Sequence, residues 1–314
     1  MKESMSLSQF KKNNVLLGLY VDDSFLERQL GNIAYTIAEQ TRPVDLVVVV
    51  NSLSEDKTAL INEILSKPYA TVRASNEAGE IVETKVESTH AINFTVIQAE
   101  VANLPVFYNT VFNLANDNGY EFMSICESED SFAKNWFSVA EKYSLENPGI
   151  DILLPVVRNT LNGVFTGFLN EAVWVEGMSE EAGKADITLL TRFNCINALG
   201  ALYKVASIAQ YSESIDGQLR PMKESIKISH YYEFFLRMIY NDLKVLTIPR
   251  VGYEAQVIRK EYYSDVTCKL PQNITELPVS QGGITPQEGS FWMELAKKEY
   301  FFDEDRFKQY QPQS

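Results

Sequence analysis

Residues Tyr120–Trp136 read YEFMSICESEDSFAKNW. In this stretch a short apolar run, Phe122–Cys126, ends in a cluster of acidic residues, Glu127, Glu129 and Asp130. The run predicts a buried strand, and ligands of α/β sheets bind beyond the carboxyl ends of strands. Side chains alternate along an extended chain, so Glu127 and Glu129 are expected on one side, where paired carboxylates suit a hard cation. The alternative interpretation is a solvated acidic loop.

Strands and helices alternate in the part of the chain before this stretch. Val15–Val21 (VLLGLYV) predicts a buried strand, and helical spacing of apolar residues predicts a helix over Phe25–Gln40 with Ser24 as its N-cap. Leu46–Val50 (LVVVV) predicts a second buried strand, and Thr58–Ser66 a second helix. This order is typical of a parallel sheet.

The remaining segments extend the same pattern. Further strands are predicted at Glu80–Val86, Ala91–Ile97, Ile150–Val157 and Val245–Ile248, the last closed by Pro249, and further helices at Phe132–Ser144 and Tyr231–Tyr240. Tyr211–Ile228 is polar and is predicted to be a loop. From Tyr262 the chain is rich in Pro, Gly and Gln, and Phe291–Tyr310 is amphipathic. We therefore predict an α/β domain over residues 13–257, and a C-terminal extension over 258–314 formed by a linker and a terminal helix.

Charge and composition exclude several classes of protein. The chain has 314 residues, with 42 acidic side chains against 28 Lys and Arg, for a net charge of −14. A broad nucleic-acid-binding surface is therefore not expected, because such surfaces neutralise phosphates with basic residues. Its 2 histidines, His90 and His230, exclude a metal site built from several histidines.

Cysteines and hydropathy indicate the compartment. Cys126, Cys195 and Cys268 are odd in number and far apart, so a disulfide scaffold is not expected. The first residues, MKESMSLSQFKKNN, lack the apolar core of a signal peptide, and no run approaches the roughly 20 apolar residues of a membrane span. We expect a soluble, cytoplasmic protein.

Several short segments, taken in order, resemble a known family. They are VVVVNSLSED (47–56), NLPVFYN (103–109), CESED (126–130), NALGALYKV (197–205) and HYYEFFLRMIYNDLKVLTIP (230–249). Each is weak alone, but their order and spacing resemble the family 2 glycosyltransferases with the GT-A fold. The resemblance covers roughly residues 13–257.

The resemblance implies a fold and an activity. The fold is α/β, a mixed and mostly parallel Rossmann-like sheet flanked by helices. The activity is metal-assisted, inverting transfer of a sugar from a UDP-sugar or similar donor to a glycan, lipid-linked sugar, protein or modified nucleic acid. One alternative is a catalytically impaired GT-A-like binding or structural subunit, for which the aromatic terminal segment would serve as a docking arm; a homo-oligomer is compatible with it. A nucleotidyltransferase is a further alternative, weakened because no glycine-rich phosphate loop with a basic residue appears early in the chain.

The resemblance also implies roles for particular residues. Glu127 would face the donor ribose or an Mn²⁺ or Mg²⁺ ion, Glu129 would bind the metal directly, and Asp130 would assist. Glu stands where the family has Asp, which moves the ligand oxygens outward. The residues that would surround the donor are Tyr20, Asp22, Asn51, Ser52, Asp56 and Asn109; capping and turn formation are the alternative explanation for them.

The catalytic base is the largest departure from the family pattern. An inverting transferase needs a group that accepts the proton of the acceptor hydroxyl. The family places an acidic pair where this chain has His230 and Tyr231. His230 is a candidate for the base or for a further metal ligand. Glu233, one helical turn on, and Glu224, in the preceding loop, are the other candidates. A packing role is the alternative for His230.

Overall fold

The computed structural model describes residues 10–51, 53–75, 80–161, 164–170, 183–185, 196–224 and 230–256. Its strands are β1 (Val15–Val21), β2 (Asp45–Val50), β3 (Tyr69–Ser75), β4 (Ile81–Glu87), β5 (Asn93–Gln98), β6 (Phe122–Glu127), β7 (Ser131–Phe132), β8 (Ile152–Leu161), β9 (Val164–Leu169), β10 (Gly183–Ala185), β11 (Leu202–Lys204), β12 (Glu213–Ile215), β13 (Gln218–Arg220) and β14 (Val245–Gln256). Its helices are α1 (Glu27–Ala38), α2 (Glu55–Ser66), α3 (Leu104–Asp117), α4 (Trp136–Glu146), α5 (Val205–Ala209) and α6 (His230–Tyr240).

One large mixed sheet carries the core, in the strand order β10-β14-β8-β11-β6-β1-β2-β5. Strands β5, β2, β1 and β6 are parallel neighbours. Strand β11 runs antiparallel to both β6 and β8, so β8 and its parallel neighbour β14 run in the same direction as β6. The predicted mixed, mostly parallel sheet flanked by helices is confirmed.

Both faces of the central strands are covered, which explains their continuous apolar sequences. Every residue of β2 is buried, and β1 is buried except for the partly exposed Tyr20. Such runs are typical of parallel strands packed between helices. Helix α3 lies against β1 at Gly18, where an added Cβ would come within 2.5 Å of the Val111 side chain. The close contact between this helix and the sheet therefore requires glycine at position 18.

The predicted starts of α1 and α4 are wrong. Helix α4 begins at Trp136 rather than Phe132, because Ser131–Phe132 form strand β7 and pair with β14. Helix α1 begins after Leu26, and Ser24 does not cap it, because its N–H and hydroxyl both donate to Asp22. Helix α3 begins one residue after Asn103, whose side chain accepts a hydrogen bond from the N–H of Val106. The segment NLPVFYN therefore forms the cap and the first turns of α3, and Asn109 lies in the helix interior.

Two later segments also differ from the prediction. Strand β14 does not end at Pro249 but continues to Gln256, with irregular register between Ile248 and Val251. Proline is tolerated there because an irregular ladder position does not need its missing N–H. The polar segment from Tyr211 contains the β12–β13 hairpin. The predicted extension 258–314 lies outside the described residues. Among the helices of the described residues, none is long and apolar enough to cross a membrane.

Candidate functional site

The carboxyl ends of β1, β2 and β6 meet at one edge of the sheet. Tyr20, near the end of β1, is in register with Glu127 of β6, and Val21 is in register with Val50 of β2. The residues that follow these strands therefore come together, as the sequence predicts for the acidic stretch at the end of β6. Ligands of open α/β sheets bind at such an edge.

The acidic stretch forms a tight turn rather than a longer extended chain. The N–H of Asp130 donates to the carbonyl oxygen of Glu127 at 3.2 Å, which closes the turn over residues 127–130. The extended chain that was expected to continue through Glu129 is therefore absent, since β6 ends at Glu127, and strand alternation does not relate the two glutamates. Glu127 is buried, whereas Glu129 is partly exposed and accepts from the Ser128 hydroxyl at 3.3 Å.

Asp130 is held inside the protein by β14. The hydroxyl of Tyr253 donates to one carboxylate oxygen, and the N–H of Gln256 donates to the other at 2.9 Å. The same hydroxyl oxygen accepts from the N–H of Glu127 at 3.3 Å. Burial raises the pKa of Asp130 to about 8, although the bond from Tyr253 opposes that shift. Both oxygens of Asp130 are thus engaged in holding the turn.

Gly200 fixes the position of Tyr253 from the other side. Its φ is +70°, and an added Cβ would lie 2.6 Å from the Tyr253 ring. Its N–H donates to the carbonyl of Ile125 in β6 at 2.9 Å, and its carbonyl accepts from the indole N–H of Trp136 at 2.8 Å. Gly200, in the segment NALGALYKV, therefore packs directly behind the acidic turn.

The acidic turn offers few side chains to a divalent cation. Among the residues described by the model, no group of three or more His, Cys, Asp or Glu side chains is arranged to hold a metal. Mg²⁺ and Mn²⁺ in phosphate sites need only one or two carboxylates, because the substrate phosphates and water supply the other ligands. Glu127, buried at the end of β6, and the partly exposed Glu129 supply that number of carboxylates. Asp130 fits that requirement less well, since its oxygens are already engaged.

The residues predicted to surround the donor occupy several environments. The ring of Tyr20 lies 5.5 Å from that of Phe107, and Asp22 bonds Ser24 in a local turn. The amide of Asn51 donates to the carbonyl of Val101 at 3.0 Å. Asp56 is exposed in the first turn of α2, and Ser52 lies outside the described residues. Tyr20, Asp22 and Asn51 thus share the edge of the sheet with Glu127.

Asn109 does not face open solvent but holds the segment before α6. Its side chain accepts from the N–H of Met222 at 2.9 Å and donates to the carbonyl of the same residue at 2.9 Å. It also donates to Glu224 at 3.0 Å. One turn later, Asn113 binds the N–H and carbonyl of Leu219 at 2.9 and 2.7 Å. We call these two contacts the asparagine clip.

The candidates for the base lie on and before α6. His230 is buried at the start of that helix, with its ring 4.7 Å from the ring of Tyr231. Glu233 is fully buried and accepts from Arg237 through both oxygens, at 3.0 and 3.3 Å, with Lys223 at 3.5 Å. Glu224 is partly exposed and also pairs with Arg220 at 2.8 Å. The geometry gives Glu233 a structural partner on each oxygen.

Three contributors to the site were missed by sequence reasoning: Tyr253, Trp136 and Asn113. Tyr253 lies beyond Pro249, where the predicted strand ended. Trp136 falls within the predicted helix Phe132–Ser144, a prediction that says nothing of its hydrogen bond to Gly200. The repeat of Asn109 and Asn113 at a spacing of one helical turn was a usable signal, since amides on one helix face bind a neighbouring segment together.

Comparisons with known proteins show the fold. No family model and no curated protein matches the sequence. Among solved structures, S. aureus TarS 1–349 in complex with UDP-GlcNAc matches with a TM-score of 0.59 and 13% identity, over 94% of this chain and 70% of that one. A second structure of S. aureus TarS 1–349 matches with a TM-score of 0.53 and 16% identity, over 92% of this chain and 72% of that one. A longer TarS structure matches at 0.52 and 14%, and this chain spans 38% of its length. The chain therefore has the GT-A glycosyltransferase fold.

Proposed function

We propose that this protein is a nucleotide-sugar-dependent glycosyltransferase of the family 2 type. The observation that carries the proposal is the acidic turn, residues 127–130, at the end of β6 in a GT-A sheet. The similarity to TarS, which was solved with UDP-GlcNAc and with UDP, supports a uridine-containing donor. The acceptor belongs to the glycans, lipid-linked sugars, proteins or modified nucleic acids.

Glu127 and Glu129 would hold a divalent cation, Mn²⁺ or Mg²⁺, together with the donor diphosphate. The cation supplies positive charge that stabilises the diphosphate leaving group. Tyr20, Asp22, Asn51 and Ser52 would contact the base and ribose, since they lie on or follow the neighbouring strands. Asp130 and Tyr253 would position the turn without contacting the donor.

The transfer step needs one proton acceptor. The acceptor oxygen forms a bond to the anomeric carbon as the bond between that carbon and the phosphate oxygen breaks, and the base takes the hydroxyl proton. His230 is our first candidate for the base, because Glu233 is paired with Arg237 through both oxygens. Glu224 is the second candidate, and Tyr231 is the weakest because phenols ordinarily have a pKa of about 10.

The experiment that tests this proposal separates binding from turnover. The purified chain is titrated with UDP, UDP-GlcNAc and other nucleotide sugars, with Mn²⁺, Mg²⁺ or EDTA, and thermal shift and release of nucleoside diphosphate are both recorded. We expect metal-dependent stabilisation by a nucleotide and slow hydrolysis of at least one donor. Binding without hydrolysis or transfer would favour the impaired binding subunit, and the absence of both would refute the proposal.

A further inference from the structure

Strands β3 and β4 form a two-stranded sheet of their own beside α1. Every residue of β4, Ile81–Glu87, is exposed. Within the described ranges β4 pairs with β3 alone, so its other edge presents backbone N–H and C=O groups outward. An exposed edge of this kind is a template for another strand.

The two faces of this hairpin differ in chemistry. One face carries the ion pairs Arg73–Glu83 at 2.6 Å and Lys85–Glu27 at 3.1 Å, the second of which joins the hairpin to α1. The other face carries no charge; by the register of the hairpin it consists of Ala70, Val72, Ala74, Val82, Thr84 and Val86. Its three valines are 48%, 44% and 42% exposed. We call this surface the valine face.

The sequence of β4 is complementary to its own reverse. Around Thr84 it reads Val-Glu-Thr-Lys-Val, from Val82 to Val86. If a second copy pairs antiparallel with Thr84 opposite Thr84, each Glu83 lies opposite Lys85 of the other copy. Each Val82 then lies opposite Val86 of the other copy. Directly opposite residues of unlike charge stabilise a strand pair, and apolar neighbours do the same.

Other antiparallel registers lack this match. A shift of two residues in one direction places Glu83 opposite Glu83, and in the other direction it places Lys85 opposite Lys85; like charges in those positions are destabilising. A shift of one residue would join the valine face to the charged face of the second copy. The register centred on Thr84 is therefore the favoured one.

We infer that two copies of this chain associate through β4, antiparallel and centred on Thr84, to form one four-stranded sheet. The same strand of both copies forms the contact, so the dimer has two-fold symmetry, the commonest symmetry of protein oligomers. Each copy carries a net charge of −14, so two copies repel each other over most of their surfaces. Contact is most favourable at a surface such as β4, where acidic and basic side chains pair between the copies. The valine faces of the two hairpins then form one continuous apolar surface.

The expected affinity is modest. A single pair of seven-residue strands buries less than the roughly 800 Å² per partner of a standard interface. We therefore expect a dissociation constant of about 1–100 μM, a range typical of small interfaces. Sedimentation velocity of the full chain between micromolar and several hundred micromolar concentrations measures it.

Charge-reversed variants test the register. Glu83→Lys alone places two lysines opposite each other twice in the dimer, and Lys85→Glu alone places two glutamates opposite each other twice. Each variant alone should weaken association at least about tenfold. A mixture of the two should form a heterodimer, because every opposite pair then has unlike charges. The matched control is Lys142→Glu, which reverses a charge on the exposed surface of α4 and should leave association unchanged.

A cysteine at the centre gives an independent test. Thr84→Cys should form a disulfide-linked dimer on mild oxidation, because the two side chains face each other across the axis. Val82→Cys should not, because Val82 lies opposite Val86 of the second copy. The unsubstituted chain, oxidised in the same way, controls for its own cysteines. A chain that is monomeric at several hundred micromolar, or a dimer that both charge variants leave unchanged, would overturn the inference.

Discussion

Tyr253 and Asp130 lie 123 residues apart in the chain, and the phenol of one donates a hydrogen bond to the buried carboxylate of the other. The same phenol oxygen accepts the N–H of Glu127, so one side chain of β14 determines the shape of the acidic turn after β6. The position of Glu129 therefore depends on packing around Tyr253.

Asp130 makes stability depend on pH. Its folded-state pKa of about 8 lies above its ordinary value of 3.8, so the native protein binds a proton that the unfolded chain lacks. The stability contributed by the protonated carboxyl is fully present below about pH 4 and is lost as the pH rises through about 8. Asp130→Asn should flatten the pH dependence of the unfolding free energy between these values, by up to about 1.4 kcal/mol per pH unit.

Urea unfolding followed by circular dichroism from pH 5 to 8.5 measures this slope. Tyr253→Phe serves as the companion variant, since it removes a bond that favours the charged carboxylate and should raise the pKa of Asp130 further. Parallel curves for wild type and Asp130→Asn would show that this carboxyl titrates normally.

Gly200→Ala should destabilise the protein and disturb the acidic turn. The new Cβ would lie 2.6 Å from the Tyr253 ring, at a φ of +70°. We expect a loss of about 2–4 kcal/mol, because an overpacked core adds to the cost of the left-handed backbone. Gly217→Ala is the matched control: its φ is +78° but nothing lies within 4 Å, so it measures the backbone cost alone, about 1 kcal/mol. Equal melting temperatures for both variants would contradict the packing argument.

Glu129→Ala should reduce turnover strongly while leaving the fold intact. Its described contact is with the neighbouring Ser128 hydroxyl at 3.3 Å, so little stability depends on it. Loss of one electrostatic group at a developing charge lowers turnover by about 100-fold or more. Glu121→Ala, an exposed glutamate just before the same strand, should behave as wild type. Normal turnover by Glu129→Ala would remove it from the metal site.

Glu233→Gln separates a structural role from a catalytic one. The variant keeps the volume but leaves Arg237 and Lys223 without their buried counter-charge, which costs about 3–5 kcal/mol. We expect a lower melting temperature, measured by calorimetry, and turnover per folded molecule within a few-fold of wild type. An unchanged melting temperature with turnover lost would instead assign the proton acceptor to Glu233.

Asn109→Ala should loosen the segment before α6. It removes both bonds to Met222 and one to Glu224, at a cost of about 1–3 kcal/mol. The amide of Met222 should then exchange its hydrogen faster, which mass spectrometry of exchanged peptides detects. Asn116→Ala, exposed on the same helix, should change neither quantity. Unaltered exchange in Asn109→Ala would mean that the clip does not hold the segment.

The central strands could be predicted from sequence because their signal is local. A strand buried on both faces must be apolar throughout, and β1, β2 and β6 end within a residue of the predicted positions. The order of short segments around them was enough for the GT-A fold. The course of β14 past Pro249 was not predictable in the same way, because tolerance of that proline depends on the irregular pairing with β8.

The site was predictable only in part. Glu127 and Glu129 follow a recognisable strand, and the structure places them at its end. The commitment of Asp130 to Tyr253 could not be foreseen, because a contact between residues so distant in the chain leaves no periodic pattern. The pairing of Glu233 with Arg237 could not be foreseen either. Arg237 is held in place by hydrogen bonds to the carbonyl oxygens of Tyr211 and Pro221, which are distant in the chain.

The asparagine clip has a consequence for how the protein can change. Asn109 and Asn113 bind the main chain of residues 222 and 219, and a main-chain N–H and C=O are the same whatever the side chain. Natural or laboratory selection can therefore replace the side chains of this segment while its backbone keeps its course. Diversity in this segment can accumulate without a new fold, provided that the two asparagines are kept.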